Sequence, residues 1–303
     1  MKRGAFIRST FLFTGGVLIA NRSLGAVAAS NKKLEKLVIL HTNDTHSNIE
    51  PFPANHNKYP NRGGVARRFK MIQEVREKEE NILLLDAGDI FQGNPYFNKY
   101  KGHLEMRLMA EMEYDVATLG NHDFDIGIDG FMSAYTKANF PFVNCNYDFG
   151  TTEMAKVVKP YEIINKGKLK IGILGVGVEL DGLVPRPCYE GVTYNDPIAA
   201  ANNSAKILKE KGCDLIICLS HLGYDYDDKN KVSDLKLASL SSDIHLIIGG
   251  HTHTFLEEPT VVTNKVGTPV LVNQVGFAGL NLGRIEIQFD KGKKSATNQL
   301  IKI

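Results

Sequence analysis

Gly120-Asn121-His122-Asp123-Phe124-Asp125 follows Tyr114-Asp115-Val116-Ala117-Thr118-Leu119, which reads as a short buried strand. The glycine lets the backbone turn sharply at the strand end. The turn then presents an amide oxygen, an imidazole and carboxylates within six positions. An amide oxygen suits a hard or borderline cation. His122 can be a ligand or a general acid, and a carboxylate three residues on can hold its ring. Alone, the segment equally suits a polar turn without chemistry. Matching residues at four other strand ends decide for chemistry.

Toward the N-terminus, Leu37-Val38-Ile39-Leu40 is a continuous apolar run, as in a strand buried on both faces. It ends in His41-Thr42-Asn43-Asp44-Thr45-His46. Gly63-Gly64 opens a helix to about residue 80, with Val65, Phe69, Ile72 and Val75 on one face. A second strand, 82–85, ends in Asp86-Ala87-Gly88-Asp89, and a helix over 104–113 follows. Beyond the opening stretch come a helix over 130–138 and a strand over 140–146. A hairpin is expected around residues 165–168, then a helix over 197–211. Strand 215–219 ends in Ser220-His221, and strand 244–248 ends in Gly249-Gly250-His251-Thr252-His253. A helical segment, 231–241, lies between them, and the remainder reads as antiparallel strands. Such strand–helix alternation implies right-handed crossovers and a largely parallel sheet.

Composition narrows the function classes. The 36 Lys+Arg nearly balance 34 Asp+Glu, so no basic excess points to polymeric nucleic acid. Residues 1–29 read as an export signal peptide: a basic start, an apolar stretch from Phe11 to Ala20, and the small-x-small Ala26-Val27-Ala28. The apolar stretch is too short and Gly-broken for a stable membrane span. A periplasmic or extracellular location is therefore expected, with residues 30–303 forming one catalytic domain. None of the four cysteines makes a CxxC pair, and no essential disulfide is expected.

Five strand ends thus carry Asp44 and His46, Asp89, Asn121 and His122, His221, and His251 and His253. On extended segments, side chains at i and i+2 point the same way, so Asp44/His46 and His251/His253 can each aim two groups into one cleft. In open α/β sheets that cleft lies beyond the carboxyl ends of the strands. Mixed oxygen and nitrogen donors without thiolate suit Mn, Zn or Fe. The set is too large for one tetrahedral ion but suits two divalent ions sharing a carboxylate. Ions about 3.5–4 Å apart can clamp both attacking and leaving oxygens of a phosphoryl displacement.

In this order, Asp44-x-His46, Gly88-Asp89, Gly120-Asn121-His122-Asp123, His221 and Gly250-His251-x-His253 resemble the calcineurin-like metallophosphoesterase signature. The fuller motifs His41 to His46, Asp86 to Gly93 and Asn121 to Asp125 resemble the catalytic domain of bacterial 5'-nucleotidases, over about residues 37–290. The resemblance implies a four-layer α/β/β/α sandwich. It implies that Asp44, His46 and His253 hold one metal, Asn121, His221 and His251 the other, and that Asp89 bridges them. It casts His122 as the group stabilising charge or assisting the leaving group, and Asp125 as its orienting partner. The implied reaction is attack of metal-bound hydroxide on nucleoside 5'-monophosphates or related phosphate esters. Alternatives are a cyclic-nucleotide phosphodiesterase, a nucleotide-sugar pyrophosphatase, a thiosulfohydrolase, or an inactive metal-binding partner subunit.

Family members continue into a second domain that binds the base. A separate chain carrying that domain is one expectation, and loose specificity without it the other. The sequence shows no identifiable aromatic face for a base. His41, Asn43, Asp86, Asp123 and His245 read as supporting residues, and His56 and His103 as unpartnered surface residues. Gln92, Asn94, Asn273 and Gln274 stand on loops open to a substrate role.

Overall fold

The computed structural model describes residues 10–13, 35–228, 230–290 and 293–303. The expected signal peptide lies outside the described residues except for Thr10–Phe13, whose backbone pairs antiparallel with Lys293–Lys302. Among the described residues no helix is long and apolar enough to cross a membrane.

Continuous apolar runs become strands sandwiched between two cores. In Glu35–Thr42, Val38 and Leu40 face one cluster while Leu37 and Ile39 face another. Ile82–Asp86 divides likewise, Ile82 and Leu84 against Leu83 and Leu85. In Leu215–His221, Leu215, Ile217 and Leu219 join the second cluster, whereas Ile216 and Cys218 join a third. The period-two alternation of a strand thus builds three apolar layers between four structural ones.

The first sheet has eight strands, in the order Thr10–Phe13, Lys293–Lys302, Asn281–Asp290, Glu35–Thr42, Ile82–Asp86, Val116–Ala117, Phe142–Val143 and Val158–Lys159. The last five run parallel. Helices Val65–Arg76, His103–Glu111 and Gly127–Tyr135 bury Ile72, Met106 and Phe131 against its outer face. The second sheet has six strands, in the order Thr260–Thr263, Pro269–Asn273, Leu246–Gly249, Leu215–His221, Leu169–Gly177 and Tyr161–Lys166. Pro197–Glu210 and Asp234–Leu240 cover it through Ala201, Ala205, Leu208 and Leu237. This is the expected four-layer α/β/β/α arrangement.

The details differ from the sequence reading where pairing or capping overrides an apolar run. The strands after Tyr114 and Phe140 are only two residues long, Val116–Ala117 and Phe142–Val143. A helix that the sequence did not announce, Pro95–Tyr100, starts at Asn94, whose side chain accepts the Tyr96 N–H. Asn94 is therefore a helix cap. Pro269–Asn273, expected antiparallel, runs parallel to Leu246–Gly249 and antiparallel only to Thr260–Thr263. The polar strand Lys293–Lys302 pairs with Asn281–Asp290 over its whole length. Its composition lacks the alternation that would have betrayed it. All four cysteines are free thiols.

Candidate metal centre

The carboxyl ends of both sheets' central strands meet at one seam. There the loops after Glu35–Thr42 and Ile82–Asp86 run side by side. Asp44 N–H donates to Gly88 O (2.9 Å), His46 N–H to Asp89 O (3.0 Å) and Ser47 N–H to Ile90 O (2.9 Å). Asp44, His46, Asp89, His251 and His253 all have φ between +46° and +73°. Few non-glycine residues enter this region, at a cost of about 1–3 kcal/mol each. The residues of each i, i+2 pair therefore do not converge by lying on extended backbone, as the sequence suggested. Successive left-handed turns aim them inward.

Neighbouring polar side chains hold these turns. Asp123 accepts backbone N–H groups from Gly120 (2.8 Å), Asp89 (3.1 Å), Ile90 (3.0 Å) and Phe91 (3.2 Å). Asn43 donates to Asp44 Oδ2 (2.6 Å) and Gly276 O (2.6 Å) and accepts Val275 N–H (3.0 Å). Gln274 donates to Gly250 O (2.6 Å) and accepts Thr254 N–H, which fixes the His251–His253 turn. Asp86 accepts Thr42 Oγ1–H (2.6 Å) and Gly88 N–H (2.9 Å). His41 and His245 are structural. Burial pushes their rings down to about 3 and about 4, and their Nε2 atoms meet the Asn273 amide (3.0 Å) and Lys294 Nζ (2.7 Å).

Donor atoms from Asp44, His46 and His253 lie within 4.8 Å of one another, as do those from Asp89, His221 and His251. His46 Nε2 faces His253 Nε2 at 3.0 Å and stands 3.8 Å from Asp44 Oδ1. Asp89 Oδ2 is 3.1 Å from His221 Nε2 and 3.7 Å from His46 Nε2, so one carboxylate reaches both groups. Asn121 Oδ1 lies 2.9 Å from His251 Nδ1. The structure thus brings together all seven side chains singled out as metal ligands.

The donors fit cations. Backbone carbonyls accept the Nδ1–H of His46 (Phe91 O, 3.1 Å) and of His221 (Ala87 O, 2.7 Å). That fixes the ring orientations and turns both Nε2 atoms to the centre. His221 Nε2 is buried without a hydrogen-bond partner. Burial holds His46 below the usual histidine range and, with the His221 charge, brings His251 down to about 4. Burial also opposes a charge on His221, but Asp89 and Asp44 overcome it and push that ring up to about 10.

His122 stands beside these groups. Its ring centroid lies 5.4 Å from that of His46, and its backbone N–H donates to Asp89 Oδ1 (2.8 Å). Nδ1–H donates to Asp125 Oδ2 at 2.8 Å, which raises the ring's pKa. A cleft of about 760 Å³ reaches His251, with Glu179, Asp181, Asp196 and Asp228 on its walls.

Sequence reasoning missed an aromatic group beside the centre. Phe277 stacks on His253, and Tyr59 and Phe255 stand against Phe277. His56, expected to be unpartnered, accepts Tyr59 N–H (3.0 Å) and stacks on the Tyr59 ring. His103 is bonded to Ser133 Oγ (3.1 Å) on the surface.

Gly120 tests how tightly the centre is mounted. A Cβ there would overlap both Asp89 Oδ1 and Asp89 N. Gly120→Ala is expected to displace Asp89, weaken cation binding at least about tenfold and lower Tm. Calorimetric titration with Mn²⁺ and a thermal scan check this. Wild-type affinity in the variant would show that Asp89 moves freely.

Residues 37–255 match the calcineurin-like phosphoesterase family. The chain belongs to this family. It is similar to the snake venom 5'-nucleotidase of Crotalus adamanteus, with 34% identity over 88% of this chain and 48% of that protein. The human 5'-nucleotidase is 32% identical over 89% of this chain and 49% of its own. The structure of the 5'-nucleotidase precursor from Thermus thermophilus superposes with a TM-score of 0.81 at 33% identity, over 89% of this chain and 55% of that one. The chain spans about half the length of these curated relatives.

Proposed function

We propose that this phosphoesterase hydrolyses nucleoside 5'-monophosphates and related phosphate esters at a two-metal centre. Asp44, His46 and His253 would hold one divalent ion, Asn121, His221 and His251 the other, with Asp89 shared and Mn, Zn or Fe as the suited metals. The observation that carries this reading is that the two donor groups share carboxylates: Asp89 Oδ2 lies 3.1 Å from His221 Nε2 and 3.7 Å from His46 Nε2, and Asp44 Oδ1 also comes within 3.9 Å of His221 Nε2. Bound there, the cations would polarise phosphate oxygens and activate water as a nucleophile.

The chain's own residues supply the rest. Asp44 and Asp89 offset only part of the charge of two dications, leaving a net positive site for a phosphate dianion. His122, with Nδ1 held by Asp125, keeps Nε2 for the ester oxygen, where it donates a hydrogen bond or proton as charge develops. Gln274, Asn43 and Asp123 keep the turns rigid and touch no substrate in this scheme.

The test is turnover of AMP, ADP, UDP-glucose, cyclic nucleotides and p-nitrophenyl phosphate, with Mn²⁺ or Zn²⁺, read by chromatography of the products alongside phosphate release. AMP and p-nitrophenyl phosphate are expected to turn over, EDTA to abolish the rate and added Mn²⁺ to restore it. Turnover confined to UDP-glucose or to cyclic nucleotides would replace this substrate assignment. A separate chain carrying a further substrate-binding domain would raise kcat/KM for nucleotides when added. The pattern of residues 1–29 supports export, to be checked by fractionation.

A further inference from the structure

We propose that Tyr59, Phe255 and Phe277 form a stacking subsite for the planar base of the leaving nucleoside, an inference that rests on the phosphomonoesterase reading above. The group is continuous with the centre. The Phe277 ring lies 5.0 Å from the His253 ring, centroid to centroid, at an interplanar angle of 10°. A phosphate gripped by the Asp44–His46–His253 group therefore has aromatic surface one ring away.

The rings are fixed in advance. Phe255 crosses Phe277 edge-on (6.0 Å, 82°), and Tyr59 stands nearly parallel to Phe255 (6.3 Å, 25°) and edge-on to Phe277 (6.1 Å, 74°). His56 backs Tyr59 at 5.6 Å and 13°, and Phe52 lies 4.7 Å from His56. Any side chain at Gly276 would run into the Phe255 ring, and the Phe255 backbone bridges to Val275. Arg62 lies over Tyr59 but is bound to Leu280 O and Asn281 Oδ1 (both 3.0 Å), so it braces the group from behind. Rings held this way lose little freedom on binding a ligand.

Phe255 nevertheless leaves 41% of its surface exposed. A rigidly mounted, exposed ring that lies beyond Phe277 from the phosphate-binding centre fits the far end of a nucleotide. Every base has a π-face, so such a subsite accepts purines and pyrimidines alike.

Two measurements test the subsite. The first compares AMP with ribose 5-phosphate, which has the same primary alkoxide leaving group and lacks only the base. With Mn²⁺, kcat/KM is expected to be about 10- to 100-fold higher for AMP, the size of one stacking contact. Phe255→Leu and Tyr59→Leu, which keep apolar bulk without a ring face, should pull this ratio toward one, whereas Phe255→Tyr should hold it. The second is ligand-observed NMR on the metal-free chain. Adenosine should receive saturation at its base protons in wild type and lose most of it in Phe255→Leu. A wild-type ratio near one, or a ratio and saturation signal that survive both Leu variants, overturns the subsite. Adenosine binding without hydrolysis of either ester would instead leave the subsite standing and overturn the phosphoesterase reading.

Discussion

Asp89→Asn is expected to lose cation occupancy and turnover together. Its carboxylate reaches both donor clusters, through Oδ2 to His221 (3.1 Å) and His46 (3.7 Å), and stands closer to the His221 cluster than Asp44 Oδ1 does at 3.9 Å. Oδ1 is already engaged by the His122 N–H. An amide in its place offers one neutral oxygen and removes the negative charge that would shield two cations from each other. Cation affinity should fall by more than about 100-fold, the upper end of the loss when a group merely hydrogen-bonded to a ligand is removed. The fold should survive, because Asp123 accepts the backbone N–H groups of residues 89–91 and loop 43–47 donates N–H groups to the carbonyls of residues 88–90. Metal analysis after dialysis, together with phosphate release from AMP, checks both quantities. Two tightly bound ions and normal turnover in the variant would rule out the bridging role.

The centre was legible in the sequence because parallel strands put their carboxyl ends on one edge. A ligand-type residue after each apolar run could therefore be assigned to one place from the sequence alone. Asn43 and Asp123, which lie inside the motifs, read as supports of the ligands, and their hydrogen bonds to the turns at 44, 89–91 and 120 match that reading. The backbone that delivers the ligands was not legible. The i, i+2 spacing suggested extended segments, but Asp44, His46, His251 and His253 sit at positive φ. Asp and His enter that region more readily than most residues, but residue type alone does not announce it. Its cause is long-range: loop 43–47 pairs with loop 87–91, and Gln274 clamps the turn at 250–254.

The aromatic group was hidden for a related reason. Tyr59 lies in a Pro- and Asn-rich loop, while Phe255 and Phe277 flank the strands Thr260–Thr263 and Pro269–Asn273. Asn43, which accepts the Val275 N–H and donates to Gly276 O, brings the second segment onto the first sheet. A contact that depends on which sheets face each other cannot be read from local pattern.

His122→Ala is expected to slow phosphate-ester hydrolysis by about 10²–10⁴-fold while leaving cation binding near normal, the usual size of a positioned acid or charge-stabilising group. The side chain belongs to neither donor cluster, and its contact with Asp89 is through the backbone N–H, which alanine keeps. Asp125→Asn should cost less, because it acts only through the imidazole. It should also change the pH profile. The hydrogen bond to Asp125 raises the His122 pKa above the ordinary histidine value, so the protonated ring persists to higher pH. If that protonated ring is the active form, the rate falls as pH rises through its pKa. Replacing the carboxylate by an amide removes the charge that favours imidazolium, so the fall should begin at lower pH than in wild type. Profiles of kcat for AMP across neutral to alkaline pH, with saturating Mn²⁺, give the comparison. A His122→Ala enzyme that loses an ion would make this residue a ligand. An Asp125→Asn profile superimposable on the wild type would mean that the pair positions the ring without tuning its proton.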